Sequence, residues 1–434
     1  MTTRARDRSA TGDDARDLWD PVFQGRDPGE RERAARDALA REWERVWELP
    51  LSFLRDKYQA AGMGRDTLPP LDAIPRTSKA ELRENERRNP PFGTHRAVPL
   101  EHAIRLGSST GTTGKPTLIF YGARDLEVHI EVGVRNLWRH GVRRGDLFTH
   151  SWPQGIYPTN VAGGRTYLAA GVVEIGVGPP VTPEVAAEHL ALWDLLRPDA
   201  FMMTSAQLRT YEEAEARAGV AVTDLLSGRI LVFLEASCQF PHPRLRLEKA
   251  YAVSIRNIGG ASEIPGLATS DCRFHTGLHA AGDHFILQAC DPDTGRELAP
   301  GERGVLVVTA FDMDACFIRY DLEDVVVAAS DPCPCGETGP RYTLLGRSAD
   351  VREVAGRKLL PVDVQLALEE FGAPEFRFLP QSTGGALDLE VESDGRGSAV
   401  KDVLQLSLGV PVEIKEVETG TLPRSTFKPR RVMG

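Results

Sequence analysis

From about residue 100 onward, short strand-like runs alternate with longer runs of helical periodicity, and this alternation constrains the fold more than any other feature of the chain. Strand-like runs stand at 118–121, 172–177, 230–234 and 304–309; helical ones stand at 125–141, 182–196 and 205–217. Alternation at this spacing calls for an α/β architecture, with parallel strands covered by helices. Upstream, residues 28–60 read as helical, because Ala35, Leu39, Trp43, Val46, Trp47 and Leu51 recur at spacings of three and four. Pro69, Pro70 and Pro75 interrupt, and 77–82 (Thr-Ser-Lys-Ala-Glu-Leu) begin another short helix behind a capping hydroxyl. Composition changes again at 346–361, and the residues beyond carry helix, strand and strand signals at 362–371, 387–391 and 412–417. The division this predicts is a disordered tail over 1–17, a large domain of mixed sheets and helices over 18–349, and a small mobile α+β domain over 350–434.

At 434 residues the chain is long enough for two or three domains and a large core. Its formal net charge of −10 argues against a nucleic-acid or anionic-membrane partner. No run of about 18 apolar residues suits a transmembrane helix. The charged first sixteen residues lack the apolar core of a signal peptide. The expected location is the cytoplasm, where six cysteines serve as thiols or metal ligands rather than as a disulfide framework.

Residues 106–117, Leu-Gly-Ser-Ser-Thr-Gly-Thr-Thr-Gly-Lys-Pro-Thr, form the densest chemical signal. Gly111 and Gly114 let the backbone turn so that successive N–H groups point at one anion. The hydroxyls of Ser108, Ser109, Thr110, Thr112 and Thr113 and the Lys115 ammonium add donors. Such a loop can hold a polyphosphate. It is not a Walker A loop, since two residues separate Gly111 from Gly114 and Pro116 follows Lys115. A solvated linker is the plainer reading, but linkers rarely run from one apolar stretch straight into another, here 118–120.

This segment resembles the phosphate loop of the adenylate-forming acyl/aryl ligases, in particular phenylacetate–CoA ligase and its relatives. The resemblance runs from about residue 19 to 432, and four further motifs follow in the family's order. It implies that Ser108 to Lys115 hold the β- and γ-phosphates of ATP. Behind the strand-like 252–258, Gly259-Gly260-Ala261-Ser262-Glu263 resembles the family's aromatic-Gly-x-Ser/Thr-Glu. There Gly260, Ala261 and Ser262 border the nucleotide, and Glu263 is a hard ligand for the Mg²⁺ on ATP. The aromatic position, which packs on adenine in the family, is Gly259 here, and this is a departure. In 318–325, Ile-Arg-Tyr-Asp-Leu-Glu-Asp-Val, the ribose-binding carboxylate falls on Asp324, with Asp321 a nearby competitor. Arg347 matches the arginine beside ribose and α-phosphate, and Asp350 the hinge residue on which the small domain turns. Lys428, between Pro423 and Arg431, matches the catalytic lysine that bridges carboxylate and α-phosphate in the in-line transition state, although Phe427 precedes it where glycine is common.

Cys333 and Cys335 offer two thiolates on a tight turn, and Cys272 and His279 lie some sixty residues earlier, with His275 a second candidate imidazole. Three cysteines and a histidine can make a closed tetrahedral zinc set; four unliganded core residues are the alternative. Some relatives carry structural zinc with this order of ligands, so the resemblance implies a Zn²⁺ that pins a loop and does not activate water. Cys238, Cys290 and Cys316 read as buried thiols, and His284 as a strand residue. Trp152, Tyr157, Gly163 and Gly164 fall where the family shapes its acid pocket, and glycines there leave room for a flat ring.

The implied reaction is ATP-dependent activation of a carboxylic acid, with an aromatic acid favoured, as an acyl-AMP, followed by transfer to a thiol, coenzyme A first among candidates. A carrier-protein thiol or an amine remains an alternative acceptor, as does activation of nitrite for diazo formation on an aryl amine. A non-catalytic nucleotide-binding relative is the third reading. Retention of Lys115, Glu263, Asp324 and Lys428 together argues against it. A homodimer is compatible with all three.

Overall fold

An eleven-stranded sheet organises the larger part of the chain, and it changes character halfway across. The computed structural model describes residues 18–49, 52–108, 118–153, 155, 162–264, 266–380, 385–422 and 431–432. Val173–Gly176, Leu147–His150, Ala200–Thr204, Ile230–Leu234 and Ser254–Gly260 lie side by side in parallel. Their connections carry helices, among them Gly163–Ala170, Pro183–Leu196, Ser205–Ala218 and Pro241–Tyr251. This half is the α/β unit that the alternation predicts. Beyond Ser254–Gly260 the sheet turns antiparallel through Ala268–Ser270, Leu278–His279, Arg341–Arg347, Tyr320–Ala328, Arg303–Ala310 and Phe285–Cys290. The parallel strands that the alternation predicts thus form one half of a mixed sheet, in keeping with the expected domain of mixed sheets and helices.

The predicted helices form for local reasons that can be named. Pro28–Glu48 starts where the Asp27 carboxylate accepts from the Gly29 and Glu30 N–H groups at 2.9 and 3.1 Å, with Pro28 in the first turn. It buries Leu39, Trp43 and Val46, the face its spacing predicts. The helix predicted over 28–60 is in fact two, since Phe53–Ala60 restarts behind its own cap, Ser52. Lys79–Arg88 opens with a reciprocal Ser78/Glu81 capping box. Ala123–His140 ends at Gly141, whose φ of 92° takes the left-handed conformation that glycine adopts without penalty. Pro183–Leu196 and Ser205–Ala218 contribute Trp193 and Tyr211 to an apolar core that includes Phe201 and Phe233, all buried. Among the described residues no helix is long and apolar enough to cross a membrane.

A separate core lies at the C-terminal end. Val354, Val364, Phe376, Phe378, Leu389, Val391, Val400, Leu404 and Val412 pack together with no buried partner before residue 354. They belong to the hairpin Arg352–Val354/Arg357–Leu359, the helices Pro361–Ala367 and Gly397–Leu408, and a sheet of Phe376–Phe378, Leu387–Glu392 and Val412–Val417. This unit touches the larger one through Arg303–Asp363 at 2.7 Å, Arg246–Glu369 at 2.9 Å and Gln365 donating to Ser237 Oγ at 2.9 Å. Residues 1–17 lie outside the described residues, as do Ser109 to Thr117, Tyr157 and Lys428.

Candidate active site

Parallel sheets bind ligands beyond the carboxyl ends of their strands, where the topology changes direction. A cavity of about 170 Å³ opens there, beyond Leu147–His150, Ala200–Thr204, Ile230–Leu234 and Ser254–Gly260. Phe148, Trp152, Tyr167, Met202, Leu234 and Ile258 supply an apolar wall. Of the expected pocket residues, Trp152 and Gly163 line it; Gly164 does not, its Cα instead facing Glu174.

Gly259, Gly260, Ala261 and Ser262 form the rim. They stand in and just beyond the last turn of the strand, not wholly behind it, because Gly259 and Gly260 still pair with Thr269 and Ala268. A Cβ on Gly260 would lie 2.4 Å from the Leu267 carbonyl oxygen, so this position admits glycine alone. A Cβ on Gly259 would meet Leu278 Cδ1 at 3.1 Å and Thr269 Oγ1 at 3.2 Å. Thr269 in turn shares a hydrogen bond with the buried Tyr342 hydroxyl at 2.9 Å. The space beside Gly259 is thus already filled by its neighbours, which explains physically why the family's aromatic side chain has no place there.

The opposite wall is a face of Ala123–His140. His129, Gly133, Asn136 and His140, at spacings of four, three and four, line the cavity. The last two turns of this helix, 134–140, are buried all round. Their polar side chains must therefore find partners inside the protein. Asn136 Oδ1 accepts from Ser270 Oγ at 2.9 Å and from Arg139, and Ser270 Oγ itself accepts from Arg139 at 2.8 Å. Asn136 Nδ2 and His129 Nδ1 have no protein partner. Burial pushes the His129 imidazole down to about 4. For His140, burial, then Arg139 and Arg256, push it down to about 3. Both rings are neutral at physiological pH. Sequence reading missed this stripe; its signal was His129, Gly133, Asn136 and His140 at i, i+4, i+7 and i+11 along one face of an amphipathic helix.

Glu263 stands at the edge of the rim, half-buried, and a lysine that the sequence did not single out holds it. Thr77 N–H donates to Arg319 O, and Asp321 N–H donates to Thr77 O, both at 2.9 Å. This clasp lays the start of Lys79–Arg88 beside the rim, and Lys79 Nζ approaches Glu263 Oε1 to 3.2 Å. Burial alone would raise the Glu263 carboxyl, but Lys79, a backbone N–H and Arg347 outweigh it, and the net shift is downward. The neighbouring Glu86 goes the other way: burial first, and then repulsion from Glu263, push it up to about 7.

Asp324 and Arg347 face each other across adjacent antiparallel strands, with Arg347 Nε 2.9 Å from Asp324 Oδ1. The competitor Asp321 is engaged elsewhere, by Arg76 at 3.1 Å. Asp350 follows in a short 3₁₀ turn that leads into the C-terminal unit. The structure therefore brings Glu263, Asp324 and Arg347 near one another, with Glu263 directly after the rim residue Ser262.

Cys272, His279, Cys333 and Cys335 meet in a buried cluster whose ligand atoms all lie within 4.8 Å of one another. Cys272 Sγ and Cys333 Sγ are 3.6 Å apart, and Cys335 Sγ is 3.8 Å from His279 Nε2. A tetrahedral zinc with bonds of about 2.3 Å to sulfur and 2.0 Å to nitrogen sets its ligand atoms about 3.5–3.8 Å apart, so the donor set fits that ion. The other candidate imidazole, His275, is taken by Asp271 at 2.7 Å. His279 Nδ1 faces Glu337 Oε2 at 3.5 Å, the carboxylate–imidazole arrangement that orients a metal-bound histidine. Glu337 also accepts two hydrogen bonds from Arg139, at 2.9 and 2.8 Å. A continuous polar chain therefore runs from the sulfur cluster through Glu337 and Arg139 to Asn136 on the cavity wall.

No protein-family model matches the chain. It is similar to phenylacetate-coenzyme A ligase of Thermus thermophilus, at 29% identity over 421 residues, covering 88% of this chain and 91% of that protein. It is also similar to phenylacetate-coenzyme A ligase of Escherichia coli, at 26% identity over 403 residues, 87% of this chain and 89% of that one. Among solved structures, 2-hydroxyisobutyryl-CoA ligase in its postadenylation state, in complex with R3-HIB-AMP, superposes with a TM-score of 0.86 at 24% identity, over 98% of this chain and 94% of that chain. The same ligase with 2-HIB-AMP and CoA in its thioesterification state reaches 0.71 over the same shares. In sequence the chain is similar to phenylacetate-coenzyme A ligases over most of its length, and its fold is that of 2-hydroxyisobutyryl-CoA ligase.

Proposed function

We propose that the chain is an AMP-forming acid–CoA ligase: it activates a carboxylic acid, aromatic by preference, as an acyl-AMP with release of pyrophosphate, then transfers the acyl group to coenzyme A. The observation that carries this reading is the ring-sized cavity at the carboxyl ends of the parallel strands, whose rim residue Ser262 is followed by Glu263, a carboxylate that feels Arg347 and, through it, neighbours Asp324. The apolar wall holds the ring of the acid. Asp324, already oriented by Arg347, accepts the ribose hydroxyls, and Arg347 adds positive charge toward the α-phosphate. Ser108 to Lys115 wrap the β- and γ-phosphates. Lys428 neutralises the charge that builds as the carboxylate attacks in line.

Mg²⁺, when bound, would supply charge neutralisation on the phosphates, and Glu263 would hold it. Lys79 keeps Glu263 ionised and ready in the nucleotide-free site. The zinc reading of the Cys/His cluster is structural: the four side chains form a closed set with no place for a reacting water. The division near Asp350 into a large unit and a small one with its own core suits a rotation about that residue. TM-scores of 0.86 and 0.71 against two states of one ligase support a reading in which such a rotation occurs.

The test is pyrophosphate release with Mg·ATP across aryl and aliphatic acids and nitrite, each with and without CoA. Release with an aryl acid, rising with CoA and yielding a thioester by mass, is expected. Release with nitrite alone, or release indifferent to CoA, overturns this reading in favour of another acid or acceptor. Lys428→Ala should suppress pyrophosphate release by at least about 100-fold while ATP still binds; unchanged adenylation removes the lysine from the mechanism.

A further inference from the structure

The cavity wall on Ala123–His140 is more polar than an unsubstituted phenyl ring requires. Its volume, about 170 Å³, is close to the roughly 150 Å³ that encloses one benzene ring. A single ring and little else fits. Yet Asn136, 4% exposed, has an amide nitrogen with no protein partner. The direction of that amide is fixed. Arg139 is a pure donor, and Ser270 has committed its oxygen to Arg139 and its proton to Asn136 Oδ1. Two N–H donors therefore remain unclaimed on Nδ2, and an unsatisfied buried donor costs about 1–3 kcal/mol.

One turn further along the same face stands His140, 2% exposed and neutral, with no hydrogen bond to a protein side chain. A neutral imidazole offers one donor and one acceptor. An amide donor and an imidazole acceptor on one wall are matched together by a ring substituent that both accepts and donates. A hydroxyl does so. A second carboxylate would satisfy Asn136 but leave the imidazole acceptor unmatched. An ammonium group would face the positive charge of Arg139 and Arg256, which add to burial in keeping His140 neutral.

We infer that the acid activated here is a single-ring aryl acid carrying a hydroxyl group, read by Asn136 and His140 on the helical wall of the cavity. The inference rests on the acid-activating reading of the same cavity. A site built to hydrogen-bond a substrate hydroxyl rejects the analogue that lacks it, because its own buried groups are then left unpaired.

The experiment compares benzoate and phenylacetate with their ortho-, meta- and para-hydroxy and amino derivatives. Pyrophosphate release is measured with ATP, and acid binding to the full chain is measured by calorimetry without ATP. The wild type should favour one hydroxy isomer over its parent by at least about tenfold, both in kcat/KM and in affinity. Asn136→Leu, which keeps the branched outline of the side chain and removes the donor, should bring that ratio close to one. Asn136→Asp, which keeps an acceptor for Arg139 and replaces the donor, should shift preference from hydroxy toward amino acids. Release that is equal for hydroxylated and parent acids overturns the inference while the ligase reading stands. So does a wild-type preference that both variants leave intact. Selective binding of a hydroxy acid without pyrophosphate release from any acid supports the inference and overturns the ligase reading instead.

Discussion

Arg139 and Glu337 form a pair whose removal can be given a magnitude from its geometry. Their side chains are 4% and 3% exposed, and Arg139 Nη2 lies 2.8 Å from Glu337 Oε1. At an effective dielectric of about 20, opposite charges at that distance attract by about 6 kcal/mol. Much of this repays the cost of taking both ions out of water. Removing one partner forfeits the attraction and keeps the other ion's desolvation. Arg139→Met should therefore cost about 3–5 kcal/mol, and Glu337→Gln a similar amount. Arg139→Met/Glu337→Gln leaves no buried charge of the pair, and it should cost no more than either single change. The coupling between the two sites should then be about 3–5 kcal/mol. The assay is the midpoint and slope of urea unfolding for the four proteins at pH 7.5, followed by tryptophan fluorescence. Costs that simply add in the double variant, or a cost below about 1 kcal/mol for Arg139→Met, would refute the picture of a dry, mutually dependent pair.

Three further expectations concern the site. Glu86 has a folded pKa raised to about 7 from the ordinary 4.5, so ionising it opposes folding. Its penalty is absent below about 4.5 and grows as pH rises through 7. Glu86→Gln should stabilise the protein at pH 8 and leave it unchanged at pH 4.5; thermal midpoints that shift equally at both pH values contradict this. Protein purified without chelators should carry about one zinc per chain by elemental analysis, and Cys335→Ser should lose it; a metal-free wild type would dismiss the zinc site. Gly260→Ala places a methyl 2.4 Å from a backbone oxygen. It should cost about 1–3 kcal/mol and, by displacing the rim about 1 Å, slow adenylation about 100-fold; a wild-type melting point and rate would show that the rim yields freely.

Much of the architecture was legible because it rests on periodicity. Ile230–Leu234 and Val412–Val417 match their predicted spans, and Ser205–Ala218 departs by one residue. The antiparallel half was not legible. Ala268–Ser270 and Leu278–His279 are three and two residues long, too short to show any alternation. The C-terminal helix, strand and strand expectation omits Gly397–Leu408, although Val400, Leu404 and Leu408 recur every four residues and are buried. At the site, motif order pointed to Glu263, Asp324, Arg347 and the Cys/His set, and the structure draws each group together. Lys79 and Asn136 escaped notice for one physical reason. A lysine in the first turn of a helix and an asparagine within an amphipathic one look solvated until the elements packed over them are known. Only burial separates them from dozens of similar residues.

The cavity has walls of two kinds, and this bears on how its selectivity can change. Trp152, packed in the apolar core with Phe148 and Tyr167, and Gly163 approach from just after a strand and the start of a helix. Asn136 and His140 belong to a helix whose last turns are buried all round and tied through Arg139 and Glu337 to the sulfur cluster. A substitution at the first wall alters the shape offered to the acid. A substitution at the second also disturbs groups that hold the fold together. Divergence toward new acids should therefore accumulate at Trp152 and Gly163, and a library confined to those two positions should yield more folded members than one confined to Asn136 and His140.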